Sequence, residues 1–181
     1  MRLPIAVALA AFLSFVSPAV ATPPASSFTA HVDNQWFPLL PGTRYVYSGV
    51  KDGKRARDVV LVTHSVRTID GVPCVAVDDR LMLGGHLEER TTDWYSQDGQ
   101  GNVWYFGEKT AELDQHGKVT STEGSWLAGV HGAQAGLFMP AHPRLGQSAL
   151  LLLVGVQEVL DLVTQAIVGR EQAFSLPPVH R

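Results

Sequence analysis

Between residues 43 and 123 the chain alternates apolar and polar positions with the two-residue period of a β-strand. Over 58–69, Val59, Leu61 and Thr63 alternate with Val60, Val62 and His64. The pattern predicts strands over 43–49, 58–69, 72–83, 86–97, 102–108 and 118–123. Reversal signals separate them: Asp52-Gly53, Asp70-Gly71, Gly84-Gly85, the segment from Asp98 to Gly101, and a weaker Gln115-His116-Gly117. Asp-Gly and Gly-Gly pairs supply the positive φ angles that two-residue hairpin turns require. Consecutive hairpins pair neighbours in sequence, so the expected fold is mainly β, a single antiparallel β-meander forming a curved sheet or a small barrel.

The flanks break this pattern. In 33–49, Pro38 and Pro41 bracket Leu39-Leu40 and rule out a helix, and Trp36 and Phe37 are expected to pin the segment to the core. Segment 125–148 holds too many Gly and Pro residues for regular structure and is expected to wrap the sheet as a long loop. The period then changes. Leu152, Val156, Val159, Leu160, Val163 and Ile167 recur at helical spacing, with Gln157, Asp161 and Gln165 as a polar stripe and Gly169 as a stop. An amphipathic helix over 149–170, followed by a tail over 171–181, is the reading from the pattern.

The N-terminus reads as a signal peptide over 1–21. Arg2 precedes an apolar run from Ile5 to Val16, Pro18 breaks the helix, and Ala19-Val20-Ala21 offers a cleavage site. The run is shorter than the ~20 residues that span a bilayer, so no membrane span is expected after cleavage. A flexible leader over 22–27 and a β domain over 28–148 follow, and the expected location is periplasmic or secreted. Arg2 is the one charge lost, so 13 Lys and Arg stand against 17 Asp and Glu, a net charge of −4. That balance, with no basic run, argues against nucleic acid as a partner. Cys74 is the single cysteine and lies in an apolar strand pattern, Val72 to Val77, so it is read as a buried thiol outside any disulfide.

Candidate chemistry concentrates in "DWYSQDGQGNVWYFGE", 93–108. A metal reading fails on spacing. His31, His64, His86, His116, His131 and His142 are scattered, and 98–102 lacks the alternating oxygen donors of a calcium loop. No metal and no cofactor is expected. A carboxylate pair is conceivable across the hairpin at Gly84-Gly85, with Asp79 opposite Glu89 or Asp78 opposite Glu88, but Arg80 and Arg90 are expected to pair with these acids on a solvated face. Alternation sends Trp94, Trp104 and Phe106 to one face and Tyr95, Val103 and Tyr105 to the other. The order Ser96, Asp98, Gly101, Trp104 is like a propeller Asp-box, but it occurs once, and a propeller repeats.

Three stretches, "DNQWFPLLPGTRYVYSG" (33–49), "DWYSQDGQGNVWYFGE" (93–108) and "STEGSWLAGVHGAQAGLFMPAHPRLGQ" (121–147), resemble a family of uncharacterised secreted bacterial proteins with this hairpin motif. The resemblance implies an exported β domain and no particular activity. It stops after Gln147, where a strand containing Tyr, Arg and Glu is expected. The Leu/Val-rich segment found there is either a genuine helix or the product of a shifted reading frame.

The functional expectation is a binding domain for a small apolar molecule or a cell-envelope component. Its candidate binding residues are Trp94, Tyr95, Asp98, Trp104, Tyr105 and Trp126, and no catalytic residue is assigned. The alternatives are a secreted hydrolase using Glu88, Asp93 or Glu123, and a structural protein that meets a partner through the C-terminal helix.

Overall fold

The computed structural model describes residues 21–143. The signal peptide up to Val20, the helix expected over 149–170, its reading-frame alternative and the tail lie outside the described residues.

Among the described residues, nine strands form one antiparallel sheet that does not close. They are β1 (Phe28–Thr29), β2 (Arg44–Lys51), β3 (Lys54–Ile69), β4 (Val72–Leu83), β5 (His86–Asp98), β6 (Val103–Leu113), β7 (Val119–Ser121), β8 (Trp126–Leu127) and β9 (Gly136–Met139). The spine runs β2-β3-β4-β5-β6-β7 in sequence order, β1 pairs with β5, and β8 and β9 both pair with β6. The first three hairpins turn on Asp52-Gly53, Asp70-Gly71 and Gly84-Gly85, with positive φ at both residues of each pair. That is the backbone whose twist matches the strands it joins.

The next two reversals share one wiring. In each, an aspartate carbonyl accepts from the glycine three residues on, and its amide donates to the carbonyl of the residue after that. Asp98 Oδ1 also accepts from the amides of Gln100 and Asn102, and Asp114 Oδ1 accepts from those of His116 and Lys118. An Asp side chain bonding its own turn backbone is why this residue type starts such reversals.

Both faces of the sheet carry core. On one, Val62, Val75, Val77, Tyr95, Val103 and Tyr105 pack with Val32 and Leu39 of the N-terminal arm and with Phe138 and Met139. On the other, Cys74, Ala76, Trp94, Trp104 and Phe106 pack with Phe28, Ile69, Val72 and Ala128. The aromatic residues of the 93–108 hairpin therefore divide between the faces in the alternation read from the sequence. Burial pushes the Cys74 thiol up to about 12, so it is held as the thiol.

Four local expectations are corrected. Segment 125–148 is not a loop throughout, because β8 and β9 lie within it and take backbone hydrogen bonds along β6. β6 runs to Leu113 rather than 108, since it keeps pairing with β5 through Glu112, and Thr110 and Ala111, on opposite faces, are both buried. Phe37 pins the arm, with its ring 4.6 Å from that of Phe138, whereas Trp36 is 42% exposed. The polar anchor of the arm is Asn34. Its Oδ1 accepts from the amides of Trp36 and Phe37, and its Nδ2 donates to the carbonyls of Gly101 and Pro140.

The fourth correction concerns the acids. Asp79 lies opposite Thr91 and Asp78 opposite Thr92, while Glu89 faces Leu81. An irregularity between Leu81 and Met82 takes Glu88 out of the ladder and shifts the register past it. Arg80 consequently sits opposite Arg90, so the expected cross-strand pairing of acids with arginines does not form.

Candidate functional site

Of the six residues expected to bind, four are core. Trp94, Tyr95, Trp104 and Tyr105 are buried, and the two tyrosine rings stack at 4.9 Å. Asp98 is buried as well and fully engaged. Besides its two turn amides, its Oδ2 accepts from Asn102 Nδ2 and from Trp104 Nε1, both at 2.9 Å. Burial works to raise its pKa, but the bonds from Asn102, Trp104 and the turn amides outweigh it and hold the carboxyl below the usual range. Asp98 sets the turn and ties Trp104 to it.

Trp126 is different. It lies on β8, half-buried, and it packs against both core clusters at the outer edge of β6. Gly107 lets β8 come this close. Its φ of 140° suits glycine, and a methyl group there would collide with the Trp126 carbonyl oxygen and the Leu127 backbone. Serine 125 fixes the approach, its Oγ accepting from the Thr110 amide and donating to the Thr110 carbonyl.

Beside Trp126 a groove of about 380 Å³ runs over the Trp94 side of the sheet. Trp94, Trp126, Leu127 and Val130 form its apolar wall, and Arg67 and Lys109 supply charge. The Arg67 guanidinium lies 4.8 Å from the centre of the Trp94 ring, a cation–π contact. It reaches across β4 because Ala76, which pairs with Trp94, is too small to intervene. Lys109 pairs with Thr92, two positions along β5 from Trp94, and is exposed. Glu108 borders the groove too; in register it lies opposite Asp93 on one side and on the other opposite Trp126, whose ring meets Tyr105 edge-on at 5.3 Å, and its charge acts on the Asp93 carboxyl.

The opposite face carries a second polar feature. Where the apolar cluster of Val77 and Tyr95 ends, Asp58, Asp79, Glu89, Thr91, Asp93 and Thr110 continue the same face across β3 to β6. Tyr105 donates its hydroxyl proton to Asp93 Oδ1 at 2.6 Å. Burial drives the Asp93 pKa up to about 7. The Tyr105 bond opposes this, and the charges of Glu108, Glu89 and Asp78 add to it. Burial drives Asp79 further, to about 9, helped by its contact with Asp58 and by the charges of Asp58, Asp93 and Glu89. Asp79 lies against Asp58, whose Oδ1 is buried with no hydrogen-bond partner. Nearby, the Thr91 hydroxyl bonds Glu89 and Thr110 at 3.0 and 2.8 Å.

Of the carboxylates named as candidate catalysts, Asp93 belongs to this patch, while Glu88 and Glu123 are exposed. Among the described residues, no group of three or more His, Cys, Asp or Glu is placed to hold a metal ion.

Arg67 and Lys109 of the groove, and Asp58 beside Asp79 on the other face, were not foreseen from the sequence, whereas Asp79 was named as a candidate acid. Arg67 was legible only as a charge in a Val/Thr-rich strand, and its meeting with Trp94 depends on the register of three strands. Comparison with protein-family models, with curated proteins and with solved structures finds no match to this chain.

Proposed function

We propose that this chain is an exported β domain that binds a small molecule in the groove beside Trp126. One observation carries the reading. Most aromatic side chains of the 93–108 hairpin are committed to the core, whereas Trp126 and the Arg67–Trp94 pair border an open concavity of small-molecule size. The signal-like N-terminus and the resemblance to secreted bacterial proteins support export. Native mass spectrometry of the mature protein, purified without denaturation from its producing cells, tests the reading. The expected result is a bound small molecule that Trp126→Ala releases. A bare polypeptide mass from the wild type, unchanged by any added extract of the cell envelope, ends it.

A second reading, a secreted hydrolase, is favoured by the carboxyl patch. Asp79 held as an acid and Asp93 titrating near neutrality offer a proton donor and a base on one sheet face. Hydrolysis of chromogenic glycosides or esters by the wild type, lost in Asp93→Asn, would support it. No turnover above the Asp93→Asn background on either class rejects it.

A further inference from the structure

We infer that the groove selects a small anion with a flat apolar body. The inference rests on the binding reading above and names the chemistry of its ligand. The chain as a whole is acidic, with 17 Asp and Glu against 14 Lys and Arg, yet this groove is framed by two cations. Arg67 is on β3 and Lys109 on β6, with the Trp94 strand between them. Both side chains are exposed, and the register puts both on the Trp94 face, since Arg67 pairs with Cys74 and Lys109 with Thr92. Glu108 borders the groove beside them, at the edge where its register partners are Asp93 and Trp126, so the two cations face one acid there.

The geometry suits a two-part ligand. Trp126, Leu127 and Val130 line the groove beside the Arg67-capped Trp94 ring, and about 380 Å³ holds a molecule of two fused rings. Arg67 is held in place by the Trp94 ring, so little of its freedom is lost when it forks onto a carboxylate or sulfonate. Lys109 adds a second charge without a fixed direction. Because both cations are exposed, their pull is screened by salt, while the contribution of the wall is not.

The test uses mature full-length protein and a matched pair of probes, 2-naphthoate and the uncharged 2-naphthamide, titrated by calorimetry at low and high salt. The expected result is naphthoate binding about tenfold more tightly than the amide at low salt, with the gap narrowing as salt rises. Arg67→Gln and Lys109→Gln should each bring naphthoate toward the amide and leave the amide unchanged. Trp126→Ala should weaken both probes. Equal binding of the two probes overturns the anion preference and leaves the groove as a site. Binding of neither overturns the preference and the groove together. Thermal melts of the two glutamine variants at the wild-type midpoint show that the fold is intact, since both positions are exposed.

Discussion

The Tyr105 hydroxyl and the Asp93 carboxylate meet at 2.6 Å on adjacent strands, in a buried setting where Glu108 and Glu89 also act on the acid. The bond favours the carboxylate and burial favours the acid, and burial prevails, leaving Asp93 to titrate near neutrality. This puts a proton equilibrium inside the sheet, and its sign is fixed. An unfolded aspartate titrates at about 3.9, while Asp93 and Asp79 titrate in the fold at about 7 and about 9. Between those values the native state holds protons that the unfolded state has lost. Stability from these groups is therefore full below about pH 4 and declines as pH rises, through about 7 for Asp93 and about 9 for Asp79. Urea melts should give a higher midpoint at pH 5.5 than at pH 8.5. Asp79→Asn should flatten the decline above pH 7, and an unchanged slope would refute this account of Asp79.

Asp98 obeys the opposite rule. Its folded pKa is lowered, so its contribution is present above the unfolded aspartate pKa and lost as pH falls through the folded value. Asp98→Ala leaves the Trp104 indole and two turn amides without their acceptor, and should cost about 3 kcal/mol at neutral pH. Asp114 has the same turn wiring but no tryptophan to hold, and its bonds are exposed, so Asp114→Ala should cost about 1 kcal/mol. Denaturation curves of the two variants check the contrast. Equal losses would show that the Trp104 bond adds nothing.

Gly107 is where β8 is allowed near β6. Gly107→Ala should destabilise by about 3 kcal/mol, because the atoms in the way are backbone and cannot swing aside. Trp126 should become more exposed, seen as a red shift of its emission relative to a Trp126→Phe control. A wild-type spectrum and melt would mean that β8 can move without loss.

Two tryptophans test how the core is distributed. Trp104 is 1% exposed, with its ring 6.0 Å from that of Phe28, and Trp104→Ala should cost about 4 kcal/mol. Trp36 is exposed beside the arm it was expected to pin, and Trp36→Ala should stay within about 0.5 kcal/mol. Chemical denaturation of the pair gives the comparison directly.

What was legible in the sequence was local. Asp70-Gly71 needs no distant partner to turn the chain, and the span Val72–Leu83 follows from two such turns with an apolar alternation between them. The split of Trp94 from Tyr95 likewise needs only the pleat. What escaped was everything that depends on a third strand. The irregularity at Trp94–Tyr95 places Trp94 opposite Gly107, and Gly107 is a glycine because β8 crosses there, nineteen to twenty residues later in the chain. The irregularity at Glu88 shifts the register by one residue, leaving Asp79 opposite Thr91 rather than Arg90 and half-buried against Asp58 instead of in a solvated ion ladder. The groove needs Arg67, Ala76, Trp94 and Lys109 in mutual register, which no single strand encodes.

The outer edge of β6 is hemmed by β7, β8 and β9 in turn, rather than by one continuous strand. β8 pairs at two positions, Gly107 with Leu127 and Glu108 with Trp126, flanked by the Ser125–Thr110 bonds and by the Ala128 amide on the Phe106 carbonyl. A seam sewn in separate stitches can open at one of them. The groove wall thus rests on contacts separate from those of the hairpins beneath it, and a substitution in β8 should loosen the wall while leaving those hairpins paired.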